Sequence, residues 1–257
     1  MTTSGTVFLD FDDTLVDFSA FMVAWARAIG DVMMHRLGGE SRHWSDEAVR
    51  ILTRLELEYR AVFVANPLAG YRQWLTDVRR REAREALART GLPETEENLA
   101  IMVDAFLRSL LTVRAPVAGA LELLRALDGM PVTVHLASGQ DSDHLLYALR
   151  GMGVRDFSGY RFGPDLIDCA KEGPEYYERC FALCDAAPPR IVVDNQPEPL
   201  QWAMAAGAFA IHSNVVPTSC QDAASGVSGS ISHLGQLPLL VQTIISDGRF
   251  PDHRLPD

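Results

Sequence analysis

The rhythm of apolar and polar positions changes abruptly at the start of this chain. Thr6 to Leu9 carry the β-branched and aromatic residues of a buried strand. Acids then follow at Asp10, Asp12 and Asp13. A strand that ends in carboxylates reads as the centre of a parallel sheet, delivering acids to its carboxyl edge, where open α/β sheets bind ligands.

From Phe18 to residue 113 the strand pattern is absent. Phe18, Phe21, Met22, Trp25, Ile29, Val32 and Met33 recur at three and four, as on one helix face, and Gly38-Gly39 ends that helix. Ser45-Asp46-Glu47 reads as a second helix start, running through Leu52, Leu55, Leu57 and Phe63. Asn66-Pro67 breaks it, a third helix extends to Arg89, and Thr95-Glu96-Glu97 opens a fourth through Leu111. Residues 17–113 therefore read as an all-helical insertion.

Beyond Pro116 strands and helices alternate. Helices are expected at Val117–Leu127, Asp143–Arg150, Pro174–Leu183, Leu200–Ala206 and about Leu237–Ile245. Strands are expected at Pro131–Ala137, Tyr160–Phe162, Arg190–Val193 and Phe209–Ile211, with Gln221–Ser230 as a mobile loop. This alternation predicts an α/β fold, a doubly wound parallel sheet, built from 1–16 and 114–257 and interrupted by the helical cap at 17–113.

Composition narrows the function without choosing it. At 257 residues, 47% apolar and 22% charged, the chain is that of an ordinary globular protein with room for one large domain or two smaller ones. A net charge of −11 argues against non-specific nucleic-acid binding. It leaves phosphorylated substrates open, because a metal and a few local cations reverse the field inside a pocket. Cys169, Cys180, Cys184 and Cys220 have neither disulfide-scaffold density nor zinc spacing, and Cys180 and Cys184, one helical turn apart, read as core residues. No leader pattern and no membrane-length apolar run is present, so no membrane partner and a reducing cytoplasm are expected.

The candidate chemistry lies where strands end. Asp10 and Asp12 project from the same side of an extended chain, with Phe11 on the other. Adjacent carboxylates repel unless a cation or a shared proton intervenes, and hard oxygen ligands favour Mg²⁺ or Ca²⁺ over zinc. The plainer alternative is an acidic turn in which Asp12 or Asp13 caps the next helix. Ser138 and Asp194 also end strands, and Lys171 lies between them. Each has a plain alternative: a helix cap for Ser138 and Asp194, a surface position for Lys171. Together they form a set suited to phosphoryl transfer, with acids for a metal, donors for the oxygens and a nucleophile. Arg79-Arg80-Arg81 with Arg84 reads as a solvated helix face rather than a phosphate clamp, and His135 as a hydrogen-bonded interior residue.

In this order the residues resemble the four motifs of the haloacid dehalogenase superfamily. Asp10-Phe11-Asp12-Asp13-Thr14 resembles the first, Leu136-Ala137-Ser138-Gly139 the second, and Lys171-Glu172-Gly173-Pro174 followed by Tyr176-Tyr177 the third. Val192-Val193-Asp194-Asn195, with Ala205-Ala206-Gly207 downstream, resembles the fourth. The resemblance implies that Asp10 is a nucleophile forming an aspartyl-phosphate and that Asp12 is the general acid and base. It further implies Mg²⁺ held by Asp10, Asp12 through its backbone carbonyl, and Asp194, with Ser138 and Lys171 on the phosphoryl oxygens. Dehalogenating members carry Tyr where this chain has Asp12, so the resemblance favours a phosphatase acting on a small phosphorylated metabolite. The chain departs from the family pattern at Asp13, where Gly is usual, at Glu172, where Pro is usual, and around Glu198, whose position for a second acid of the fourth motif is shifted. The alternatives are a phosphomutase, a dehalogenase on the same fold, or a binding protein on a retired enzyme scaffold.

Overall fold

A computed structural model describes residues 4–216 and 226–248. The chain opens with β1 (Thr6–Leu9) and passes at once into four helices: α1 (Phe18–Leu37), α2 (Ser41–Phe63), α3 (Tyr71–Thr90) and α4 (Glu96–Leu110). Alternation follows with α5 (Ala120–Asp128), β2 (Thr133–Ala137), α6 (Ser142–Met152), β3 (Arg161–Phe162), α7 (Pro164–Ile167) and α8 (Pro174–Leu183). The remainder is β4 (Arg190–Asp194), α9 (Pro197–Ala205), β5 (Phe209–Ser213), β6 (Gly229–Ile231) and α10 (Leu237–Asp247).

The six strands form one parallel sheet in the order β3-β2-β1-β4-β5-β6. Strand order reverses at β1, whose neighbours are β2 on one side and β4 on the other, which makes its carboxyl end the topological switch point. Register completes the argument. Leu9 pairs with Leu136 and with Val193, so the residues that follow these three strands emerge side by side.

The sheet separates two apolar layers. Val7 and Leu9 pack into the larger core with α1, α5 and α10 residues such as Ile29, Leu123 and Ile244. Phe8 points the other way, onto Phe162, Tyr176, Tyr177 and Phe181. A third cluster, Phe63 and Tyr71 with Ala170, ties the helical block to the loop that carries Lys171.

Thr95, expected to open α4, caps it by accepting from Asn98 N at 3.1 Å. The cap of α1 is Asp17, which accepts from Ala20 N at 2.9 Å, rather than Asp12 or Asp13. The second helix departs from expectation. It begins at Ser41, and Ser45 lies inside it, donating to Ser41 O at 3.0 Å. Burying Trp44 against α1, with its indole donating to Gly38 O at 2.8 Å, pulls the preceding turn into the helix. The close approach has a partner on the facing helix: a Cβ at Gly30 would collide with Ser41 and Ser45. Three short elements were not expected: α7, β6 and a 3-10 turn at Leu234–Gln236 that leads into α10. β6 takes up the end of the segment expected as a mobile loop; residues 221–225 of that segment lie outside the described residues, as does Cys220. Cys180 is buried on α8, and Cys184 donates to its carbonyl at 3.1 Å. No helix among the described residues is long and apolar enough to cross a membrane.

Candidate active site

β1 and β4 deliver the first two acids. Asp10 follows β1 and its backbone N–H donates to Val193 O at 2.8 Å, which fixes it beside the end of β4, where Asp194 stands. Both are buried, at 6% and 0% exposure. Lys171 reaches them from the loop before α8. Its Nζ donates to Asp10 Oδ1 and Asp194 Oδ2, each at 2.7 Å, and to Ala137 O at 3.0 Å. All three donor positions of the ammonium are thus used. Burial works against that charge, yet the carboxylates of Asp10 and Asp194 outweigh it and hold the Lys171 pKa well above its usual value. The surface alternative for Lys171 is excluded.

One ammonium between two buried carboxylates leaves negative charge in excess. Burial, then the charge of Asp194, pushes the Asp10 carboxyl up to about 8, with Lys171 pulling the other way. Asp12 is pushed up to about 6, chiefly by burial, while a hydrogen bond from Gln140 lowers it. That bond runs from Gln140 Nε2 to Asp12 Oδ2 at 2.8 Å. Asp12 Oδ1 is buried without a hydrogen-bond partner.

The next acid has a structural job. Asp13 sits at φ 55°, in the left-handed region that favours glycine but admits aspartate, and its Oδ1 accepts from Phe18 N at 3.0 Å. The departure from the usual glycine therefore keeps the backbone shape and adds a brace to the start of α1.

Ser138 follows β2, buried at 1% exposure, and its Oγ accepts from Gln140 N at 3.2 Å. This is a tight local turn rather than a helix cap; the cap of α6 is Asp141, which accepts from His144 N at 3.0 Å. The Tyr176 hydroxyl holds the turn from below, against Ser138 O at 2.9 Å and Phe162 O at 2.7 Å. Asp194 makes a similar turn, accepting from Gln196 N at 2.8 Å, so it too does not cap the helix that follows. Glu198 is exposed in the first turn of α9 and stands outside the cavity that the other residues line.

That cavity, about 740 Å³, lies between the sheet edge and the helical block, and Asp10, Asp12, Ser138, Lys171 and Asp194 all line it. Sequence reasoning missed Gln140 and Asn195, which line it as well. Gln140 lies two residues beyond Ser138, and Asn195 directly follows Asp194, so nearness in sequence to a strand-end residue is the signal for both. The arginine run is not a clamp. Arg80 and Arg84 pair with Glu96 and Glu94 on the outside, each at 2.7 Å, while Arg79 crosses to the sheet domain and meets Asp141 at 2.7 Å. His135 is an interior residue, its Nδ1 accepting from Tyr160 N at 2.9 Å.

The oxygen donors here suit a hard divalent cation better than zinc, and the excess negative charge of Asp10 and Asp194 is what such an ion would offset. Among the described residues no three His, Cys, Asp or Glu side chains converge into a ready-made cage. A buried aspartate pair around one lysine thus stands at the switch point of a Rossmann-like sheet whose first strand is followed by a block of helices. The chain belongs to the haloacid dehalogenase-like hydrolases, whose family model matches residues 5–193. Its fold is that of 2-haloacid dehalogenase from Pseudomonas syringae pv. Tomato DC3000, at 22% identity and TM-score 0.66, covering 94% of this chain and 99% of that one. The defluorinating L-2-haloacid dehalogenase Rha0230 aligns at 17% identity and TM-score 0.65, covering 93% and 95%. The HAD-hydrolase YfnB from Bacillus subtilis, solved bound to magnesium, aligns at 18% and TM-score 0.61, covering 93% and 98%. No curated protein matches the sequence.

Proposed function

We propose that this hydrolase is a Mg²⁺-dependent phosphatase of small phosphomonoesters. The observation that carries the reading is Asp12. A second carboxyl stands two residues beyond the nucleophile, lines the same cavity, is held through one oxygen by Gln140 and has its other oxygen unpartnered. Cleaving a phosphate ester needs a proton for the departing alkoxide, and Asp12 is placed to supply it.

The Asp10 carboxylate attacks phosphorus, the P–O ester bond breaks, and Asp12 gives its proton to the leaving oxygen, releasing the alcohol. Asp12 then takes a proton from water as that water attacks the aspartyl-phosphate, freeing phosphate and restoring Asp10. Ser138 donates its free hydroxyl proton to a phosphoryl oxygen, and Lys171, its three donors held by Asp10, Asp194 and Ala137, offers that group its charge and keeps the paired carboxylates from repelling. Mg²⁺ would be held by Asp10, Asp194 and the Asp12 backbone carbonyl, and supplies charge neutralisation on the phosphoryl group. The helical block, residues 17–113, acts as a cap that keeps bulk water out during the reaction.

A second reading is a 2-haloacid dehalogenase, favoured by the solved structures of that description on the same fold. One experiment divides them. Phosphate release from a panel of phosphomonoesters and halide release from 2-haloacids are measured with wild type and Asp12→Asn, with and without EDTA. The phosphatase reading expects phosphate release that both EDTA and Asp12→Asn abolish. Halide release that survives Asp12→Asn, with no phosphate released by either protein, replaces it with the dehalogenase.

A further inference from the structure

We infer that the leaving group of the substrate is a bulky, uncharged, apolar alcohol, in preference to a sugar or a second anionic group. The inference takes its scissile phosphate from the reading above and its leaving group from the cavity walls. A volume of about 740 Å³ falls in the range of roughly 300–1,000 Å³ that accommodates a drug-sized ligand, far more than a phosphoryl group fills.

Away from the carboxylates the walls are apolar. Met22 and Trp25 come from α1, Ile51 and Leu55 from α2, Met102 and Phe106 from α4. Their polar neighbours are already engaged. The Trp25 indole donates to Phe106 O at 3.3 Å, the Thr53 hydroxyl to Val49 O at 3.0 Å, and the Trp74 indole to Glu58 at 3.0 Å. Beyond the reacting site two buried polar atoms of the lining have no hydrogen-bond partner, His144 Nε2 on the sheet side and Glu82 Oε2 on α3, fewer than the several hydroxyls of a sugar would need. Hydroxyls carried into such a wall lose water without replacement.

Charge points the same way. The cations lining the cavity are Lys171, held by Asp10 and Asp194, and Arg79, held by Asp141. The remaining ionisable side chains beyond the reacting site include Asp13, Glu56, Glu82 and Glu172, all acids. A second phosphate or a carboxylate on the substrate would face these acids, with both lining cations already paired to carboxylates.

The test uses a matched pair of esters. Cyclohexylmethyl phosphate and glucose 6-phosphate share a six-membered ring and a primary alkoxide leaving group, and differ in the ring hydroxyls. The expected kcat/KM ratio is about 10- to 100-fold in favour of the cyclohexyl ester. Independently of turnover, 1-naphthol, an apolar alcohol, should bind saturably to the wild type as followed by tryptophan fluorescence. Binding should weaken in Phe106→Asn while 2-haloacid or phosphate chemistry plays no part. Thermal melting of Phe106→Asn separates lost binding from lost folding, and Phe106→Leu, which keeps the wall apolar, should retain naphthol. Naphthol binding with no phosphate released from any ester sinks the phosphatase reading and leaves the apolar site standing. Preference for glucose 6-phosphate, or no saturable naphthol binding by a folded wild type, overturns the inference.

Discussion

Gln140 Nε2 donates to Asp12 Oδ2 at 2.8 Å, joining the turn after β2 to the turn after β1. The bond fixes one oxygen of Asp12 and leaves the other buried without a partner. Gln140 is therefore a positioning residue. Gln140→Leu removes one hydrogen bond to a charged group, a loss of about 1.5–3 kcal/mol where fully expressed. The expected result is a fall of about tenfold or more in kcat with KM little changed, and a displaced acidic limb in the pH–rate profile. A Gln140→Leu enzyme with wild-type kcat and an unmoved profile would show that Asp12 needs no such support.

Lys171 is the only group bridging Asp10 and Asp194 among the described contacts. Lys171→Met leaves two buried carboxylates facing each other, and removing one partner of a buried pair costs about 3–5 kcal/mol. Denaturant unfolding should show that loss. The double variant Lys171→Met with Asp194→Asn should recover part of it, since it removes one of the stranded charges. Equal stabilities for the single and double variants would contradict the charge argument.

His135 makes stability depend on acidity. Burial lowers its pKa from the ordinary 6.5 to about 4, and its Nδ1 must stay unprotonated to accept from Tyr160 N. Between those values the unfolded chain binds a proton that the folded chain refuses. Stability is then full above pH 6.5 and is lost as pH falls toward 4, by roughly 3 kcal/mol in total. In His135→Phe, denaturation midpoints followed between pH 7 and 4.5 should fall less steeply than in wild type. Parallel curves would remove His135 from the account.

Two arginines of similar chemistry should differ through burial alone. Arg54 Nε lies 2.8 Å from Glu82 Oε1, and Glu82 is 3% exposed. Arg80 meets Glu96 on the outside, the two side chains 53% and 81% exposed. Arg54→Met weakens the compensation of a buried carboxylate and should cost a few kcal/mol, up to about 3–5. Arg80→Met should cost about 1 kcal/mol or less, because water and salt already screen that pair. Thermal melts of the two variants that coincide would refute the distinction.

What the linear chain determined was local. Runs such as Ile191-Val192-Val193, the cap Thr95, and breaks at Gly38 and Pro67 each carry their cause within a few residues, so strands, helices and the inserted block were legible. The strand-terminal acids Asp10 and Asp194 were legible for the same reason, because polarity changes where a buried strand ends. Short elements such as α7 and β6 were not, since Pro164–Ile167 and Gly229–Ile231 are three or four residues that mix Pro, Asp, Gly or Ser with apolar positions and show neither a strand run nor a helical period. Tertiary structure alone decided the rest. Register between β1 and β4 turned two distant aspartates into a pair, and burial gave Lys171 both of them to neutralise. Packing drew Trp44 inward and moved the start of α2. Which arginine crosses from α3 to Asp141, and which glutamine steadies Asp12, depends on distances between elements. Such distances arise only when apolar faces far apart in sequence close on one another.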